Sequence, residues 1–122
     1  MKSIQKVNLK NKLSQFTEHW TPKIVGELNG QQLKLVKLKG EFVWHQHDKE
    51  DELFYVIDGQ LLIELEETTI ELNPGEFVII PKGTSHKPFA PEETSVMLFE
   101  PDSTLNTGDK LNAKTKQNLD RI

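Results

Sequence analysis

The stretch 40-GEFVWHQHDKEDELFYVIDG-59 sets two β-prone runs, Phe42 to His47 and Leu53 to Ile57, between glycines, with an acidic turn joining them. Strand side chains alternate between faces, so Val43, His45 and His47 share one face while Phe42, Trp44 and Gln46 take the other. On the second run Glu52, Phe54 and Val56 share a face. Of only four histidines in the chain, a third, His86, follows the turn Pro81-Lys82-Gly83-Thr84-Ser85, where proline and glycine limit conformational freedom. Three imidazoles and a carboxylate are a ligand set that suits a borderline divalent metal. A single strand histidine is ordinarily solvated or bonded within a core, and Asp48, Glu50 and Asp51 read as a solvated loop. The combination, framed by Gly40, Gly59, Gly75, Pro81 and Gly83, carries the metal reading. His19 lies outside this frame and reads as a surface histidine.

Working outward, short strand-like runs recur between turn signals. Lys23 to Leu28 and Gln31 to Lys39 flank Asn29-Gly30, a two-residue hairpin signal because both positions need positive φ. Leu61 to Leu65, Thr69 to Leu72, Glu76 to Ile80 and Ser95 to Phe99 follow, punctuated by Asp58-Gly59, Asn73-Pro74-Gly75 and Pro81-Lys82-Gly83. This spacing predicts an all-β sandwich or barrel rather than βαβ units. Leu9, Leu13 and Phe16 form an apolar i, i+4, i+7 stripe with Asn8 as N-cap, predicting a short helix over one end of the barrel. Residues 101–122 turn polar and read as a surface arm, either packed or partly disordered.

Composition narrows the partners. The 122 residues fit one domain, and 28% charged residues with a net charge of −4 leave no basic stripe for nucleic acid. No apolar run approaches membrane-spanning length, and Met1 to Asn11 lacks a signal-peptide core, so the expectation is a cytoplasmic protein with no membrane partner. The absence of cysteine excludes disulfides, thiolate nucleophiles and Cys-ligated zinc. A small molecule, a metal or a protein remains as partner, and exposed sheet edges and faces point to a homodimer.

The residues 40–59 resemble the first signature motif of the cupin superfamily: a glycine, a His-x-His pair, a glutamate and a closing glycine. Residues 75–90, GEFVIIPKGTSHKPFA, resemble the second: glycine, Pro-x-Gly, then histidine. The resemblance implies a double-stranded β-helix (jelly-roll) barrel, a single domain over 1–122. Its core is expected over about 31–100, with an N-terminal helix and strand in 1–30 and a C-terminal arm in 101–122. It also implies His45, His47, Glu52 and His86 as the metal ligands. Two departures stand out: Gly40 lies one residue closer to the first histidine than is usual, and Ala90 replaces a frequent asparagine that is not a ligand. The wider sequence, including the tail LFEPDSTLNTGD, is similar to a small bacterial subgroup labelled mannose-6-phosphate-isomerase-like, which implies an ordered Glu100 to Asp109.

Such a centre would take Fe, Mn, Ni, Zn or Cu and keep one or two positions open. Three functions follow as expectations. The first is a metal-dependent enzyme on a small oxygenated metabolite, either a dioxygenase or a sugar-phosphate isomerase or epimerase. The second is a non-catalytic small-molecule or metal-binding module, and the third a structural or regulatory protein with a vestigial site. The phosphate chemistry is disfavoured, because Lys49, Lys82 and Lys87 are the only cations near the motifs and Arg121 is the first arginine. No residue can be named as catalytic base. Phe54, Phe89 and Met97 are candidate pocket walls, and Trp44 reads as packing.

Overall fold

Asn29 and Gly30 turn the chain with φ of 51° and 77°, joining β1 (Lys23–Leu28) to β2 (Gln31–Glu41) with Leu28 opposite Gln31. The computed structural model describes residues 3–122; residues 1 and 2 of the expected N-terminal region lie outside it. After β2 come β3 (Glu52–Asp58), β4 (Leu61–Glu64), β5 (Thr69–Leu72), β6 (Phe77–Ile80) and β7 (Lys87–Pro101). All pair antiparallel. One layer runs β1-β2-β7-β3-β6, and β4, with β5 beside it, pairs with the first part of β7. The fold is thus the all-β jelly-roll barrel expected.

Two long strands, β2 and β7, serve both layers because each bends at a common point. The register slips between Leu38 opposite Thr94 and Gly40 opposite Ala90. This is a bulge at which Gly40 has φ 81° and Pro91, Glu92 and Glu93 are exposed. Gly59, at the β3–β4 turn (φ 94°), nests against this bend. A Cβ there would overlap Thr94 and the Glu93 carbonyl, and Thr94 Oγ1 bonds both the amide (3.1 Å) and the carbonyl (2.9 Å) of Gln60. The strands around the bend enclose Val36, Leu38, Phe54, Val56, Leu61, Ile63, Leu72, Ile80, Ala90, Val96 and Leu98. Fully enclosed aliphatics such as Ile63 and Val56 each stabilise the fold by roughly 1.5–3 kcal/mol through burial.

Two expectations need correction, the strand over 42–47 and the packing of Trp44, while the short N-terminal helix is present as expected. The alternation predicts a strand over 42–47, but that segment has only isolated pairings: Phe42 N to Pro88 O at 2.9 Å and a reciprocal pair between His45 and His86. Trp44 is 41% exposed rather than packed, because an irregular segment imposes no alternating burial. The helix α1 is five residues, Leu9–Leu13, capped by Asn8 Oδ1 on the Asn11 amide at 2.9 Å, and none of its residues is fully buried. Phe16, three residues past it, is the buried anchor of the N-terminal segment.

The C-terminal arm is packed. Ile24 takes the carbonyl of Asp120 and gives its own to Ile122, so the chain end lies along the outer edge of β1. Thr104 and Thr107 are buried beneath the arm.

Candidate metal centre

Chain geometry brings the two motifs together before any metal is considered. The amides and carbonyls of His45 and His86 bond each other at 3.0 and 2.9 Å, and Gly83 N donates to His47 O at 2.8 Å. Glu52 opens β3 on its inward face, opposite Ile80 of β6. As a result one donor atom from each of His45, His47, Glu52 and His86 lies within 4.8 Å of the others, all four side chains being buried.

The tautomers are set by the backbone. His45 Nδ1 lies 2.9 Å from the Val43 carbonyl and His86 Nδ1 2.9 Å from that of Thr84. A carbonyl can only accept, so both Nδ1 atoms carry the proton and both Nε2 lone pairs face the centre. Glu52 Oε1 is 3.2 Å from His47 Nε2 and 3.4 Å from His86 Nε2, yet none of these three buried atoms completes a hydrogen bond. They are close but badly aligned for one another, each aimed at a shared point. Buried polar atoms without partners are costly, and a divalent cation at that point would satisfy all of them together. The donor set therefore fits a metal.

Burial, reinforced by the neighbouring His86, lowers the His45 pKa to about 4, so the imidazole is neutral as a ligand must be. Burial also works against a charged His47, but the close Glu52 carboxylate, with Glu50 beyond it, outweighs this and raises its pKa. Glu52 is buried too, and the close approach of Glu100, His47 and His86 overcomes that burial to hold it ionised, well below the usual carboxylate range.

Behind Glu52 sits a pair that the motifs do not announce. Lys34 Nζ donates to Glu100 Oε1 at 2.8 Å, with both side chains 2% exposed. Burial first, then the charge of Glu52, pushes the Glu100 carboxyl well above its ordinary value. The only signal in the sequence is a lysine and a glutamate in phase with the inward-facing positions of β2 and β7.

A cavity of about 40 Å³ opens beside the centre. His45 and Glu52 lie on its wall together with Trp20, Phe42, Phe54 and Leu98, and Asn106 of the arm closes it. Trp20 stacks on Phe42 at 4.7 Å, 10° from parallel. Of the expected wall residues Phe54 is present, whereas Phe89 and Met97 alternate to the outward side of β7 and do not line this cavity. Phe42, expected away from the ligands, shares the cavity with His45. His19 is a surface residue, its Nε2 2.7 Å from Glu93 Oε2. The arm reaches the centre as well: Asp109 N donates to Gln46 O at 2.9 Å, and Gln46 N donates to Asp109 Oδ1 at 3.0 Å. Gln46 is the residue between the two histidine ligands, so the arm clamps that segment.

A jelly-roll barrel with a His-x-His, Glu and His cluster inside defines a class, and the family profile of the cupin domain matches residues 34–100. The chain belongs to the cupin family. It is similar to the crystal structure of a cupin-2 domain containing protein from Shewanella frigidimarina, with 47% identity and a TM-score of 0.77 over 78% of this chain and 93% of that one. Protein NMB1881 from Neisseria meningitidis is 30% identical, with a TM-score of 0.73 over 80% and 100% of the two chains. KdgF from Halomonas sp. is 32% identical, with a TM-score of 0.57 over 66% and 78%. The uncharacterized protein YdbB of Bacillus subtilis (strain 168) is 39% identical over 64 residues, a match spanning 52% of this chain and 57% of that protein.

Proposed function

We propose that this protein is a metal-dependent enzyme acting on a small oxygen-bearing metabolite with a compact apolar body. The observation that carries this reading is the shared wall: two ligand residues, His45 and Glu52, face the same small cavity as Trp20, Phe42, Phe54 and Leu98. His45, His47, Glu52 and His86 would hold the ion, which when bound supplies a Lewis acid and a water of lowered pKa. The apolar wall excludes bulk water and orients the body of the ligand, and its size admits only a few heavy atoms. Neither lysine nor arginine is among the residues lining the cavity. A phosphorylated sugar would lack its cationic anchor there, and the isomerase reading suggested by the mannose-6-phosphate-isomerase-like resemblance is the weaker enzyme class.

A second reading, a non-catalytic module that binds a small chelating ligand, has its own support. The titratable residues lining this cavity are His45 and Glu52, both in the ligand set, so no separate general base lines it. The test is to reconstitute the protein with Fe, Mn, Ni, Zn or Cu and assay turnover of compact α-keto acids, diketones and diols beside sugar phosphates. Turnover of a compact substrate, lost in His86→Ala, supports the enzyme. Saturable binding with no product supports the module. Turnover of sugar phosphates alone would overturn the substrate class.

Among the described residues no helix is long and apolar enough to cross a membrane.

A further inference from the structure

We infer that a cleft between the first half of β2 and the C-terminal arm is a second binding site, fitted to a small zwitterion of the α-amino-acid class. The cleft has a volume of about 190 Å³, and none of its lining residues lines the cavity beside the metal centre. At roughly 30 Å³ for each water-sized group it has room for about six heavy atoms, the size of alanine or serine.

The inner wall of the cleft is polar although it is buried. Gln32, Lys34 and Thr104 all line it, and they are 7%, 2% and 8% exposed. Lys34 Nζ is matched by Glu100, and Gln32 Nε2 reaches Glu27 Oε1 at 3.4 Å. Thr104 Oγ1, by contrast, is buried with no hydrogen-bond partner. An unsatisfied buried hydroxyl costs free energy that valine at the same position would avoid. A ligand in the cleft would give this hydroxyl its partner.

Charge decides which ligand. Lys116 of the arm and Asp102, just past the end of β7, line the same cleft, yet their side chains form no ion pair among the described residues. With Lys34 already paired, the free charges on the wall are one positive and one negative. A simple anion would meet the repulsion of Asp102, and a simple cation that of Lys116. A zwitterion satisfies both, setting its carboxylate against Lys116 and Thr104 and its ammonium against Asp102. Ile24 and Leu119 complete the wall and suit a short apolar side chain.

The arm side of the cleft is held in place by the protein itself. Lys116 N donates to Asn106 Oδ1 at 2.8 Å, and Asn106 Nδ2 donates to Lys114 O at 2.8 Å. Farther along, Ile24 N donates to Asp120 O at 2.9 Å. A wall fixed in this way spares a ligand the cost of ordering it.

The test needs neither metal nor turnover, so it is independent of the metal reading. L-alanine or L-serine titrated into the isotope-labelled full chain should shift the amides of Asp102, Thr104 and Lys116 saturably, leaving His45 and His86 unmoved. Acetate and methylamine, each with one of the two charges, should bind about 10-fold more weakly or less well still. Lys116→Met, Asp102→Asn and Thr104→Val should each weaken binding about 10-fold, the loss of one charge-assisted hydrogen bond. Thr104→Val should keep the wild-type melting temperature, because its hydroxyl bonds nothing in the free protein, and this separates a lost contact from a lost fold. The absence of saturable shifts at roughly 10 mM amino acid overturns the inference. So does acetate binding as tightly as alanine, which would make the cleft an anion site, and so do shifts confined to the metal centre. Unchanged affinity in both Lys116→Met and Thr104→Val would overturn it as well.

Discussion

Substituting alanine for Gly108 tests whether the C-terminal arm is part of the metal centre or only decoration on the barrel. Gly108 has φ +56°, a conformation costing an L-residue roughly 1–2 kcal/mol. A Cβ there would fall deep inside contact distance of the Gln46 carbonyl and 3.1 Å from His45 Cδ2. Relief requires the arm to lift, and the first bonds to break are the two between Asp109 and Gln46. A neutral backbone bond contributes about 1 kcal/mol and one to a carboxylate about 2, so the arm loses roughly 3 kcal/mol of docking energy. The barrel core is untouched, so the loss should appear as local opening rather than global unfolding. Gln46 sits between His45 and His47, and removing a group that orients ligands typically weakens metal binding by roughly 10–100-fold. Competition of a chelator against bound Zn²⁺ would measure the affinity, and amide exchange at Asp109 and Gln46 would report the opening. Gly75→Ala is the control, since Gly75 has φ +85° but open space where its Cβ would stand. If Gly108→Ala leaves both affinity and exchange at wild-type values, or merely matches Gly75→Ala, the arm does not support the centre.

Replacing His47 by Ala should lower metal content and the metal-induced rise in melting temperature together; at a metal concentration 100 times Kd the native state gains about 2.7 kcal/mol, and an unchanged rise would remove His47 from the ligand set. Metal-free protein should lose stability as pH falls from 6.5 towards 4: the unfolded chain takes up a proton at His45 that the folded state, with its pKa near 4, refuses. The loss from this residue is on the order of 3 kcal/mol; the raised pKa of His47 adds its stability in the window above 6.5, so it leaves this descent unchanged. Urea titrations of wild type and His45→Gln should therefore converge at acid pH, and parallel curves would refute the assignment. Lys34→Met should cost about 1–3 kcal/mol by leaving the buried Glu100 carboxyl without its hydrogen-bond partner, whereas Lys34→Met/Glu100→Leu should recover most of it; additive single effects in a double-mutant cycle would show the pair to be uncoupled.

What was legible in the sequence follows from which interactions are local. The Asn29-Gly30 hairpin needs only the φ preference of two adjacent residues, and Gly59, Gly75 and Gly83 all take the positive φ that their turns suggested. The ligand set was equally readable, because the chemistry restricts the residue types and the motifs bring two short segments together. The misplaced residues depend on long-range pairing. The segment 42–47 has strand-like residues but pairs only at isolated points, through Phe42, His45, Gln46 and His47, so alternation could not place Phe42 or Trp44. Leu33 and Leu35 mark the outward face of β2, while Lys34, in phase with the interior, is buried against Glu100 sixty-six positions away. Phe89 and Met97 were taken for pocket walls on their apolar character, and the phase of β7 sends them outward.

The centre depends on distant parts of the chain as well as on its own two motifs. Two of its histidines are oriented by carbonyls two residues behind them, Val43 and Thr84, so their tautomers follow from local chain geometry. Glu52 has no such local support, and its neighbours are contributed by distant strands: Glu100 from β7, with Lys34 of β2 beyond it. Without a metal, this arrangement concentrates unpartnered polar atoms beside the apolar core of the barrel, which is a cost to folding. A sequence that maintains this cost while surrounding it with Trp20, Phe42 and Phe54 is better explained by a group that the cluster binds than by packing. Hydrophobic residues of similar volume would fill the same space at lower energy.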